Sequence, residues 1–152
     1  MKLSPEAHEE VESFLKEYRG EPGLRLPRFS IHAGWGGRLV MAFVRMGAIT
    51  LGRHVFVSPR LVRRDAQGKL RLAGWLVVHE AVHVLQYEES GFAGFLFRYL
   101  RGYCGALRRG RSLRAAARMA AYMEIAEECE ARAAEHAYAE RLKGEPAPEL
   151  LR

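Results

Sequence analysis

The sequence predicts an α+β fold with a small sheet or hairpin, a buried helix near its middle and a long helix near its C-terminus. Apolar residues recur at helical spacing over residues 5–19, directly after Ser4 as an N-cap, which predicts an amphipathic helix. Segments 48–51 and 54–57 flank a Gly-Arg pair with hairpin spacing. Residues 71–89 are apolar on nearly every side, which indicates a helix inside the domain.

The C-terminal half is rich in helix-forming residues. An Ala-, Glu- and Arg-rich stretch begins at Ser112, a candidate N-cap, and continues to about Lys143, where Gly144 follows. This pattern predicts one long helix. The aromatic and glycine-containing stretch 91–111 predicts helix fragments with loops, and the proline-containing tail 144–152 predicts a frayed end.

Length and composition indicate one globular domain covering residues 1–152. Hydrophobic residues make up 49% of the chain, yet no run reaches the ~18 apolar residues that a membrane-spanning helix needs. The N-terminus lacks the apolar core of a signal peptide, so we expect a cytoplasmic protein. Cys104 and Cys129 form no CxxC pair and are predicted to be reduced, partly buried thiols.

The sequence HEAVH, residues 79–83, is the strongest functional signal. His79 and His83 are four residues apart on the predicted buried helix, so their imidazoles can converge on one metal ion. Glu80 is positioned beside such an ion, where its carboxylate can take a proton from water activated by the metal. Burying these polar side chains without partners would cost ~1–3 kcal/mol each, which favours a functional role.

A third protein ligand is expected from the C-terminal helix. The histidine of the extended pattern HExxHxxGxxH is missing, because the sequence there continues with residues 87–89, Tyr-Glu-Glu. The remaining candidates are acids on the later helix, namely Glu124, Glu127, Glu128 and Glu130. Composition alone does not choose among them.

Three segments stand out together: FSIH at 29–32, GAITLGRHVF at 47–56 and LVVHEAVHVLQ at 76–86. These segments resemble the metallopeptidase domain family of extracellular contractile injection system (eCIS) core proteins and its stand-alone relatives. The resemblance covers about half the chain and implies a zincin-like fold and a Zn²⁺-dependent peptidase.

Related HExxH proteins often carry a later helix motif, Tyr-x-x-Asn-Pro-x-Glu-x-Glu-Ala, whose first glutamate binds the metal. Residues 122–131 match this spacing, and the match implies Glu128 as third ligand. Ile125-Ala126 replaces Asn-Pro, so Glu124 and Glu127 stay as alternatives.

Other side chains have candidate supporting roles. Gln86 lies on the same stripe as His79 and His83 and is predicted to hydrogen-bond a ligand or a neighbouring loop. Tyr122 or, alternatively, His136 could stabilise an oxyanion. The hairpin either pairs with an extended peptide or only packs.

The arginines between Arg98 and Arg118 form a basic cluster within a chain of net charge +6. A solvated basic face is the plainest interpretation, while an acidic partner or an anionic membrane surface would use the same charges. No base-reading motif supports nucleic acid.

These patterns together predict a zinc-dependent metallopeptidase with Glu80 as general base and a peptide or protein substrate. The alternatives are a non-catalytic metal-binding module of a larger assembly and a basic protein that binds nucleic acid or a membrane surface.

Overall fold

Helices and a small sheet make up the structure, a computed structural model that describes residues 2–33, 47–64, 70–110 and 114–143. Within these residues, four α-helices pack with a three-stranded sheet and a two-stranded ribbon. The α+β class is therefore confirmed. Ser112 and the predicted frayed tail 144–152 lie outside the described residues.

Helix α1 spans Pro5–Arg19, with the bounds that the sequence predicts. The Ser4 hydroxyl accepts the backbone N–H of Ala7 at 3.2 Å, which satisfies one of the free donors in the first turn. The helix ends at Gly20. Its buried face joins the core through Ala7, Val11, Phe14 and Leu15.

The main sheet consists of β1 (Ser30–His32), β2 (Ala48–Leu51) and β3 (His54–Val57). Strand β3 lies in the middle, parallel to β1 and antiparallel to β2. The predicted β2–β3 hairpin is confirmed, and β2 is an edge strand among the described residues.

A short connection leads from the sheet to the central helix. It contains a 3₁₀ helix (Pro59–Leu61) and the ribbon strands β4 (Arg63–Arg64) and β5 (Leu70–Arg71), which pair antiparallel.

Helix α2 spans Gly74–Gly110 and bends at Gly91, whose φ of 68° and ψ of 163° are not helical. Glycine adopts this conformation without a side-chain clash, which explains why the bend occurs there. Before the bend most residues are buried, as predicted, although Trp75, Glu88 and Glu89 are exposed. After the bend the chain stays helical to Gly110.

The prediction of helix fragments and loops over residues 91–111 is therefore wrong for its described part. Phe95, Tyr99, Tyr103 and Ala106 recur at helical spacing and are buried or half-buried. Their contacts outweigh the low helix propensity of the intervening glycines.

The single long helix predicted over 112–143 is also wrong, since two helices occupy this region. Helix α3 spans Ala115–Met123 and helix α4 spans Ala126–Arg141. Between them, Ile125 is extended (φ −64°, ψ 129°) and is buried in the core. Burial of this side chain, rather than a glycine or proline, accounts for the break.

Helix α4 packs closely on the start of α2. A Cβ atom at Gly74 would lie 2.7 Å from the ring of Tyr138, so only glycine fits at this contact. Tyr138 is fully buried and donates a hydrogen bond to Glu10 of α1. The core therefore joins the N-terminal and C-terminal helices through the central one.

Two further sequence predictions have an outcome in the fold. Cys104 and Cys129 are free, as predicted, but both are exposed rather than partly buried. Cys104 lies between exposed Leu100 and Arg108, one turn away on either side, so it is on the outer face of α2. No described helix has the length and apolarity needed to cross a bilayer.

Candidate metal centre

The HEAVH segment faces a cleft of about 190 Å³ between edge strand β2 and helix α2. All four residues of β2 line one side. Both halves of α2, together with Tyr122 of α3 and Glu128 of α4, complete the wall. The bend at Gly91 is therefore important, because it lets one helix contribute both His79 and Tyr99.

Three side chains converge in this cleft. The Nε2 atoms of His79 and His83 each lie 3.5 Å from a carboxylate oxygen of Glu128. One donor atom from each residue falls within 4.8 Å of the other two, a spacing that could hold a metal ion. Two imidazoles and a carboxylate also form one of the ligand sets of catalytic metal sites.

The Nδ1 atoms of both histidines are engaged on the side away from Glu128. Nδ1 of His79 lies 2.9 Å from the carboxylate oxygen Oε2 of Glu135, and Nδ1 of His83 lies 2.8 Å from the side-chain amide oxygen Oε1 of Gln86. A carboxylate and an amide oxygen accept hydrogen bonds, so each Nδ1 carries the proton. Each Nε2 therefore faces Glu128 on the opposite side of the ring, which is the orientation that a metal ligand requires.

Gln86 is itself fixed in position. Its amide group donates to the backbone carbonyl of Glu127 at 3.1 Å and to the carboxylate of Glu130 at 2.7 Å. Glu130 also accepts from Arg19 of α1 at 2.6 Å. Gln86, predicted to hydrogen-bond a ligand or a neighbouring loop, thus contacts His83, one of the predicted ligands.

Glu128 is buried and accepts hydrogen bonds from two tyrosine hydroxyls. Tyr99 donates to Oε1 at 3.1 Å, and Tyr122 donates to Oε2. Burial, and then the carboxylate of Glu128, raise the pKa of both tyrosines, so they remain neutral donors. Tyr122 is therefore a partner of the predicted ligand.

The charges in the cluster stabilise each other. Burial would raise the pKa of Glu128, but its contacts with His79 and His83 hold that pKa well below the ordinary value. Burial also lowers the pKa of both histidines, yet the carboxylates of Glu128 and Glu80 outweigh this and leave the pKa values raised. Glu128 is therefore ionised at neutral pH, as a candidate oxygen ligand must be.

Glu80 lies in the same cleft and is almost fully buried. The hydroxyl of Thr50 on β2 donates to its Oε2 at 2.6 Å. Burial raises the pKa of Glu80, against the opposing effect of the two imidazoles. A carboxylate with a raised pKa is a better proton acceptor near neutral pH than an exposed one.

The alternative third ligands point elsewhere. Glu127 pairs with Arg98 at 3.1 Å, and Glu124 is exposed and pairs with Arg109 at 2.8 Å. The described residues contain one such potential metal-binding group, and its acid is Glu128.

Three other histidines, His32, His54 and His136, lie outside the cleft lining. His32 and His54 contact each other on neighbouring strands, with 3.0 Å between Nε2 and Nδ1. His136 is exposed on α4. None of the three lines the cleft.

The basic cluster is partly neutralised by the two ion pairs of Arg98 and Arg109. Arg101, Arg108 and Arg118 are exposed, while Arg111 lies outside the described residues. An acidic partner at this surface stays a prediction.

Sequence reasoning missed Thr50, Tyr99 and Glu135 as members of the site. For Glu135 a signal exists, since it follows Glu128 by seven residues, two helical turns, on the same face. Thr50 and Tyr99 reach the site only through tertiary packing.

No match to this chain was found among protein families, curated proteins or solved structures. The resemblance to the eCIS metallopeptidase family thus depends on the residues quoted above and stays a prediction.

Proposed function

We propose that this chain is a zinc-dependent peptidase with a zincin-like fold, in which His79, His83 and Glu128 hold the metal. One observation carries the proposal. A buried carboxylate, Glu80, shares a cleft with three converging candidate ligand atoms. A purely structural metal site has no need of such a base.

Zinc fits the donor set, because two neutral imidazoles and one carboxylate leave the ion Lewis-acidic. When bound, zinc would polarise a substrate carbonyl and make a water more acidic. The protonated Nδ1 atoms hold both imidazoles with Nε2 toward Glu128.

Glu80 is the proton carrier of the proposed reaction. Among the described residues Thr50 donates to Oε2 and none donates to Oε1, so Oε1 is the atom that we assign to accept a proton from the attacking water. The water oxygen forms a bond to the carbonyl carbon, the C–N bond breaks, and Glu80 delivers the proton to the leaving amine. One water is consumed per peptide bond.

Edge strand β2 supports a peptide as substrate. Among the described residues β2 pairs only with β3, and its residues line the cleft. An extended peptide could therefore add to this edge as a further strand, with backbone hydrogen bonds that do not depend on sequence. Such pairing would bring a peptide bond beside Glu80.

The test compares the zinc-loaded wild type with Glu80→Gln in hydrolysis of a peptide library. We expect Glu80→Gln to retain zinc and to lose about 10²- to 10⁴-fold in rate, the usual contribution of a general base. Glu88→Gln is the control, because Glu88 is an exposed acid on the same helix that pairs with Arg53. A zinc-loaded wild type that cleaves no peptide, or a fully active Glu80→Gln, would overturn the proposal.

A further inference from the structure

We infer that the cleft selects peptide segments with a large apolar side chain next to the bond that is cleaved. This inference rests on the proposed peptidase function and specifies its substrate class. It comes from the chemistry of the cleft walls on both sides of the candidate metal centre.

Apolar side chains form both walls of the cleft. Ile49 and Leu51 contribute from β2, and Phe95 and Leu96 contribute from the second half of α2. Leu51 and Leu96 are 38% and 39% exposed although they border a concave surface. Covering such surface with an apolar group is favourable by about 25 cal/mol per Å².

Three hydroxyl groups of the lining already have partners inside the site. The Thr50 hydroxyl donates to Glu80, and the hydroxyls of Tyr99 and Tyr122 donate to Glu128. Burial raises the pKa of Tyr87 to about 12, so its hydroxyl is neutral. Apart from the histidines and acids of the centre, no described lining residue is charged.

The charged groups of the lining all belong to the candidate metal centre, so a charged substrate side chain placed against the apolar walls would lose its hydration there without gaining a counter-charge. An apolar side chain incurs no such cost and gains contact with both walls. The difference in binding free energy between charged and apolar side chains therefore favours an apolar residue next to the cleaved bond.

The size of the cleft points to one residue of a polymer. Pockets that enclose whole small molecules usually measure about 300–1,000 Å³, whereas this cleft measures about 190 Å³. Beside it, Phe92 stacks on Tyr87 with ring centroids 5.5 Å apart and is largely exposed. The apolar surface thus continues past the cleft, which suits an extended apolar segment.

The experiment uses the full zinc-loaded chain and peptides that are identical except at one position beside the cleaved bond. Mass spectrometry of the cleaved library first identifies that bond. We then expect kcat/KM for a leucine or phenylalanine peptide to exceed that of the aspartate peptide by about 10- to 100-fold, the range of hydrophobic-pocket discrimination.

Two wall variants carry the test further. Leu96→Asp should reduce the preference for leucine over lysine by about tenfold, and Leu51→Lys should do the same for leucine over aspartate. Leu100→Asp is the matched control, because Leu100 is exposed on the same helix, one turn further along, and does not line the cleft. All variants should bind zinc as the wild type does.

The outcomes separate the two claims. Equal kcat/KM for apolar and charged peptides, or equal effects of Leu96→Asp and Leu100→Asp, overturns the inference and leaves the peptidase proposal standing. Absence of any hydrolysis by the zinc-loaded wild type overturns both.

Discussion

Glu135 and Gln86 support the candidate metal centre through hydrogen bonds to the Nδ1 atoms of its two histidines. Each accepts the Nδ1 proton of one imidazole, at 2.9 Å for Glu135 and 2.8 Å for Gln86. These contacts orient each ring and make its Nε2 more basic. Without these contacts the two imidazoles could rotate, whereas with them both Nε2 atoms are held toward Glu128.

Replacing Glu135 should therefore weaken metal binding. We expect Glu135→Ala to lower zinc affinity by about 10- to 100-fold, as loss of such partners typically does. Glu135→Gln should recover part of the affinity, since its amide oxygen can accept the same hydrogen bond. Competition with a chelator of known affinity measures both effects, and equal affinities for Glu135→Ala and the wild type would contradict this role.

At the residue scale, the sequence predicted what depends on local spacing. His79, Glu80 and His83 follow from one helical turn, and Glu128 followed from the resemblance to a later helix motif. Thr50 and Tyr99 were not predictable, because they reach Glu80 and Glu128 from elements about 30 residues away in sequence. Long-range contacts of this kind produce no residue spacing in the sequence from which they could be predicted.

The bend of α2 at Gly91 is the structural element on which the cleft depends. Before it, the helix supplies the histidines and Glu80. After it, the same helix supplies Phe95, Leu96 and Tyr99. Because of the bend, the two halves of α2 line two sides of the cleft.

Gly91→Ala should destabilise the fold, because a φ of 68° with a ψ of 163° is a conformation that only glycine adopts readily. We expect a loss of about 1–3 kcal/mol in the free energy of unfolding. Gly94→Ala is the control, since an added Cβ there meets only an ordinary contact at 3.5 Å. In a helix interior it should stabilise by about 0.5–1 kcal/mol. Equal effects in urea titrations would contradict the account of the bend.

At the element scale, α1 and the β2–β3 hairpin were predicted because caps and turns signal them locally. The break between α3 and α4 was not, since no glycine or proline marks it. Ile125 is buried at that break, where its side chain lies beside Gly102 of α2. Local propensity gives way to tertiary packing at such positions.

Across the whole molecule, α1 is tied to the centre by a chain of polar contacts. Arg19 bonds Glu89 and Glu130, Glu130 accepts from Gln86, and Gln86 accepts from His83. Elsewhere on α1, Glu12 accepts from Lys16 at 2.6 Å and from the backbone N–H of Leu26 at 2.9 Å. The N-terminal helix thus belongs to the same folded unit as the site.

The Glu12 contacts predict a pH dependence of stability. The hydrogen bond from Lys16 lowers the pKa of Glu12 below 4.5, so its contribution is present above that value and is lost as the pH falls through the lowered pKa. We expect Glu12→Ala to cost about 1 kcal/mol at pH 7, with allowance for solvent screening. The difference from wild type should shrink on acidification.

Urea titrations at several pH values measure this difference. Glu9→Ala serves as the control, because Glu9 is an exposed acid on the same helix. A Glu12→Ala effect that stays constant from pH 7 to well below 4.5 would show that the carboxylate charge does not contribute.

The central claim is that His79, His83 and Glu128 hold a zinc ion, and the zinc content of purified protein tests it most directly. After dialysis against trace zinc at neutral pH, we expect about one zinc per chain in the wild type and in Glu124→Ala, whose acid pairs with Arg109 instead. Glu128→Ala should retain little zinc. A wild type without zinc, or a Glu128→Ala protein with as much zinc as the wild type, would contradict the account.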